Sequence, residues 1–184
     1  MKRMNPHRTA LLATVLLLRA VGASAADDGT FRPGNGITKV DLLGDGTPAM
    51  TVVGRRENFN AHSFDVTSLF VRLGDQWEVV PFFDAGKEQD SLTSSGGADC
   101  LLHDFRLIRH NQHSPFTLVL ADRDYGDSFV SVQPVTFRVY QLARNESALP
   151  GAPTWSFQLR WTRMSKKSYC DVGDAFMHEP IWRE

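Results

Sequence analysis

The feature that most constrains this chain is a succession of short runs in which apolar and polar residues alternate with period two. In "WSFQLRW", Trp155, Phe157, Leu159 and Trp161 fall on one side of an extended strand, and Ser156, Gln158 and Arg160 on the other. "TFRVYQL" sets Phe137 and Val139 against Arg138 and Tyr140, and "FTLVLAD" aligns Phe116, Leu118 and Leu120. "AMTVVG", "VTSLFVRLG", "QWEVVPFF" and "DCLLHDFRLI" have the same strand character. Gly74-Asp75 between two apolar runs predicts a hairpin. Helical pattern is sparse, and "DVGDAFMHE" near the C-terminus is the best candidate. The expectation is a mainly β domain, an antiparallel β-sandwich or open barrel with one short C-terminal helix.

Residues 1–25 read as a secretory signal peptide. Lys2, Arg3 and Arg8 precede the apolar run from Ala10 to Leu18, and Ala23-Ser24-Ala25 supplies a cleavage site. The apolar run is too short to span a bilayer, and no Cys follows the small residues to carry a lipid anchor. Residues 26–184 are then a single β-rich domain, periplasmic or secreted. Without Lys2, Arg3, Arg8 and Arg19, 16 of the 20 basic residues remain against 21 acidic ones, a net charge of −5. That acidic balance disfavours a nucleic-acid partner. The two cysteines, Cys100 and Cys170, form an even pair in an exported chain and predict one disulfide. The polar stretch from 86 to 100 is expected to be the longest loop and the most mobile.

"DLLGDGTPAM" has the Asp-Gly character of a calcium turn, with Asp41 and Asp45 as oxygen donors. An EF-hand would need ligands where Leu43 and Val52 stand, so an ordinary Asp-Gly turn is the preferred reading. Asp122, Asp124 and Asp127 form a second acidic group, but Arg123 sits among them. Both sets are noted as calcium candidates, and no cofactor or metal is assigned. The chain contains no G-x-S-x-G, S-x-x-K or K-T-G motif. His103, His110 and His113 lack the spacing of a zinc hydrolase and are read as surface histidines.

The densest polar stretch is "GRRENFNAHSF", residues 54–64. Arg55 and Arg56 are suited to clamping a carboxylate. Asn58, Asn60 and His62 add neutral donors and acceptors, and Phe59 adds an apolar face. Together these six are the candidate ligand-binding residues for a small anionic ligand. The competing reading pairs Arg55 with Glu57 and uses Asn58 and Asn60 in Asx turns.

The ordered series "VDLLGDG", "GRRENFNAHSFDV", "GADCLLHDFRL", "YGDSFVSVQPVTFRVYQL" and "YCDV" resembles the CarG-like proteins, over about Gly36 to Val172. These are exported carbapenem intrinsic-resistance proteins. The resemblance implies an exported protein that protects against a carbapenem without β-lactamase motifs, by binding the drug or shielding its target rather than by hydrolysis. Two alternatives stand beside it. One is a periplasmic inhibitor or immunity protein whose partner is a protein such as a cell-wall hydrolase. The other is an unrecognised hydrolase using His62 or the carboxylates near Asp124.

Overall fold

A computed structural model describes residues 29–179. The predicted signal peptide and Trp182 lie outside them. Twelve strands and one helix are present among the described residues: β1 (Thr30–Phe31), β2 (Gly36–Val40), β3 (Ala49–Arg56), β4 (Phe64–Leu73), β5 (Gln76–Val79), β6 (Phe82–Asp84), β7 (Lys87–Gln89), β8 (Leu92–Gly96), β9 (Leu101–Ile108), β10 (Thr117–Arg123), β11 (Gln133–Arg144), β12 (Trp155–Tyr169) and α1 (Val172–His178). The main hydrogen-bonded path runs β2-β3-β4-β8-β9-β10-β11-β12-β6-β7, with β1 on β9 and β5 on β4. It does not close into a barrel. All pairings are antiparallel except the contact between β12 and β6.

β8 joins two halves of this sheet, pairing with β4 through Asp65↔Ser94 and with β9 through Ser95↔His103. The halves enclose the main core, where Ala49, Leu69 and Val71 meet Leu107, Leu118, Leu120, Tyr140 and Phe157. This is the alternation read from the sequence: Phe116, Leu118 and Leu120 all enter that core. The Gly74-Asp75 hairpin also forms, with Leu73 opposite Gln76 and Gly74 in the left-handed region at φ 62°.

The second half-sheet has another buried face. Val119, Ala121, Val135, Phe137 and Val139 pack beneath Val172, Ala175 and Phe176 of α1. Asp171 caps this short helix, its side chain accepting from Gly173 N. The Cys100–Cys170 disulfide, Cα atoms 5.7 Å apart, holds the start of β9 beside the helix entry.

Two sequence expectations change. The four-residue apolar face of "WSFQLRW" is split by a bulge: Val139 pairs with Trp161 but Tyr140 pairs with Leu159. The extra residue reverses the alternation, so Phe157 enters the main core and Trp161 joins the cluster under the helix. The stretch 86–100 is not one long loop, because it contains β7 and β8. Leu92 and Ser94 are buried, and Leu92 lies in the main core.

Candidate functional site

The segment 54–64 is a hairpin connection and the strand ends that feed it. Arg55 and Arg56 belong to β3, opposite Asp65 and Phe64 of β4, leaving 57–63 as the connection. Glu57 organises that connection from within. Its carboxylate accepts from Phe59 N at 2.7 Å, from Arg55 Nε at 3.4 Å and, at short range, from Ser63 Oγ. These bonds, led by that from Ser63, hold the carboxyl below its ordinary range. Asn58 Nδ2 donates to His62 O at 2.9 Å, and Asn60 Oδ1 accepts from His62 N at 2.8 Å. Arg56 lies over the Phe64 ring, 5.2 Å from its centre.

The six candidate residues are thus brought together, but most of their polar capacity is spent inside the loop. Phe59 is the exception. It is 95% exposed and has a left-handed backbone at φ 56°, uncommon for a bulky residue.

His62 fastens the hairpin to its neighbours. Its ring stacks on Phe129 at 4.3 Å, and its Nδ1 is 3.2 Å from Gly96 O. Tyr125 meets Phe129 edge-on at 4.8 Å. The segment carrying both aromatics is held by buried Arg123, which donates to the carbonyls of Asp124 (2.8 Å), Phe129 and Cys170. Burial lowers the Arg123 pKa, and Asp171 opposes that shift.

Of the calcium candidates, Asp41 and Asp45 accept bonds that shape the backbone, and Asp124 and Asp127 are exposed. Asp41 Oδ1 accepts from Gly44 N at 2.8 Å, and Asp45 Oδ1 from Thr47 N at 2.9 Å. Gly44 is required here: at φ 77°, an added Cβ would lie 2.5 Å from the Ser114 carbonyl. This turn drives Leu42 and Leu43 into the core. Asp122 binds His103 Nδ1 and accepts from Arg138 Nη2 at 2.6 Å. Among the described residues no group of three or more His, Cys, Asp or Glu side chains converges as a metal site. His103, expected at the surface, is partly buried because of this pairing, with 23% of its side chain exposed.

Asp122 belongs to a chain of polar groups spanning the second half-sheet. Arg138 Nε is 3.7 Å from Asp84 Oδ1, which accepts from Tyr140 OH at 3.0 Å. Burial, reinforced by that bond to Asp84, pushes the Tyr140 pKa well above its ordinary value. Another buried carboxylate, Asp104, accepts from Ser94 Oγ at 2.7 Å and from Arg106, with Arg32 at 3.5 Å. It lies on a polar cleft of about 300 Å³ shared with Arg32, Asn35, Asp65 and Ser94.

A larger cavity, about 520 Å³, lies where β1 meets the end of β9. Phe31 and Phe116, Arg109, His110, Asn111 and Gln112 border it. Neither cavity is lined by any residue of 54–64. The larger one had no sequence signal beyond a cation beside amides in "RHNQHSP", because its walls come from segments about 80 residues apart.

A family model described as carbapenem resistance protein CarG-like matches residues 34–178. A solved structure titled as the crystal structure of CarG aligns with a TM-score of 0.70. The two sequences are 20% identical, and the alignment covers 83% of this chain and 96% of that one, a likeness of fold. No curated protein matches the chain.

Proposed function

Because this chain belongs to the CarG-like family of carbapenem resistance proteins, we propose that it is an exported, non-catalytic protein that protects against carbapenems by binding the drug or shielding its target. The family match across 34–178 carries the resistance role, since it spans nearly the whole described fold. Binding without hydrolysis is the finer reading. Neither cysteine is free to initiate acyl transfer, because both are in the disulfide. The disulfide and the signal-like residues 1–25 support export.

The hairpin at 54–64 is the proposed contact surface for shielding. Phe59, bare at the tip of an internally bonded loop, favours a macromolecular partner over solvent. A protein that shields its target would use such a tip, and so would the alternative, an inhibitor of a cell-wall hydrolase.

Chromophore loss and calorimetry, followed together as carbapenem is added to pure protein, test the reading. Heat of binding with at most one equivalent of chromophore lost is the expected result. Steady turnover would establish a hydrolase in its place. For the hairpin, Arg55→Ala and Arg56→Ala are expected to lower protection of cells several-fold at equal abundance, the scale of one charge-assisted hydrogen bond. Full protection by both would remove it from the contact surface.

A further inference from the structure

We infer that the cavity beside Arg109 is an anion site that takes a small carboxylate carried on an apolar ring body. This rests on the proposed drug-binding reading and goes beyond it by assigning the place and the recognising group.

Arg109 follows the last residue of β9, and its main-chain N–H donates to Gly29 O at 2.7 Å, joining the two walls. Its guanidinium carbon lies over the Phe116 ring, 4.1 Å from the ring centre. Nη1 donates to Gln112 O at 3.3 Å, Nη2 donates to Asp41 O, and Nε is buried with no acceptor. Every acceptor is a neutral carbonyl. Arg32, Arg55, Arg72, Arg106 and Arg138 each have a carboxylate nearby. Arg109 has no ion-pair partner among the described residues; Arg123 shares that state and is also bound to carbonyls, but of the two only Arg109 borders a cavity described above. The charge is held in place by stacking and hydrogen bonds but is not neutralised. A fixed, uncompensated cation on a partly desolvated wall attracts an anion more strongly than a flexible surface arginine does.

The rest of the cavity defines what accompanies the anion. None of the described residues lining it is acidic. Phe31 and Phe116, with ring centres 6.1 Å apart, form an apolar wall, while His110, Asn111 and Gln112 supply polar groups. A volume of about 520 Å³ is within the range of small-molecule sites. A carbapenem nucleus, a compact bicycle bearing one carboxylate, meets the conditions of charge and size, its hydrocarbon ring edge suits the phenylalanine wall, and its β-lactam carbonyl suits the polar groups.

The test uses the disulfide-bonded chain from Ala26, titrated calorimetrically with a carbapenem, with its methyl ester and with inorganic phosphate. The free acid should bind, and the ester and phosphate should each bind at least tenfold more weakly, one lacking the charge and the other the apolar body. Arg109→Gln should weaken binding of the acid by roughly tenfold to a hundredfold, and Arg109→Lys by less. Arg109 also ties down the Asp41 carbonyl, so its loss could disturb the fold. Gln112→Glu places a negative charge in the lining without removing an Arg109 bond, and should weaken the acid about tenfold with no loss of melting temperature. Equal binding of acid and ester, or wild-type affinity in Gln112→Glu, overturns the site. Absence of drug binding by the wild type also overturns it. If the wild type still protects cells in that case, the resistance role stands and shielding is its mode.

Discussion

The hairpin at 54–64 and the cavity beside Arg109 both present arginine, amide and histidine side chains beside phenylalanine, yet they use them oppositely. In the hairpin, Glu57 gathers Arg55, Ser63 and the Phe59 amide, and Asn58 and Asn60 bond to the backbone of His62. The polar groups build a shape and push an apolar ring outward. In the cavity, Arg109 is held by carbonyls and an aromatic face, so its charge remains available while the rings turn inward. Polar density alone therefore does not say how many donors and acceptors are left for a partner. The informative quantity is interaction capacity left after folding.

The largest test of this contrast is the disulfide. It closes 70 residues of sequence separation and should be worth about 4 kcal/mol on the chain-entropy model. Replacing both cysteines by Ser should lower unfolding free energy by that order in a urea titration. It should also loosen the Gly96–Cys100 turn on which His62 docks, and leave Arg109 anchored. Loss of carboxylate binding at a temperature where this variant is folded would show that the two regions are coupled.

The phenylalanines give the next contrast. Phe116 is nearly buried beneath Arg109, so Phe116→Ala should cost about 3 kcal/mol. Phe59→Ala should change stability by no more than about 0.5 kcal/mol, because its ring makes little contact with the fold. Only the second substitution should reduce protection while sparing stability. Comparable stability losses would mean that Phe59 is packed in solution.

The smallest effect is local and depends on pH. The Glu57 carboxyl has a lowered pKa in the folded hairpin, through its bonds from Ser63 and Phe59 N. Its stabilisation is therefore present above the unfolded carboxylate value and is lost as pH falls through the lower folded value. Amide exchange at 58–63, corrected for its intrinsic pH dependence, should show extra opening on acidification. Glu57→Gln should remove that pH-dependent component. An unchanged component would locate the titrating group elsewhere.

Much of the fold was legible because strand periodicity is a local property. The runs around Ala49, Val66, Phe116, Phe137 and Phe157 all became strands, the Gly74-Asp75 turn formed, and the helix lies at Val172–His178. The bulge near Leu159 was not legible, because an extra residue in one strand is defined only against its partner. Burial of Val119 and Ala121 depended on α1 packing across the sheet from about 50 residues away. The polarity of 54–64 was visible as well, but its internal satisfaction was not, since composition does not reveal which donor meets which acceptor.

By itself the sequence determined the β character of the chain, its one possible intramolecular cysteine pairing and the polar hairpin, because each depends on residue type and short-range spacing. Only the tertiary structure decided which charges remain uncompensated. Arg109 is held by the Asp41 carbonyl, the Phe116 ring and the Gln112 carbonyl, has no ion-pair partner among the described residues and borders a cavity, whereas Arg123, also bound to carbonyls, borders neither cavity described above. Electrostatic compensation depends on distance in space, and chain folding sets that distance for groups far apart in sequence.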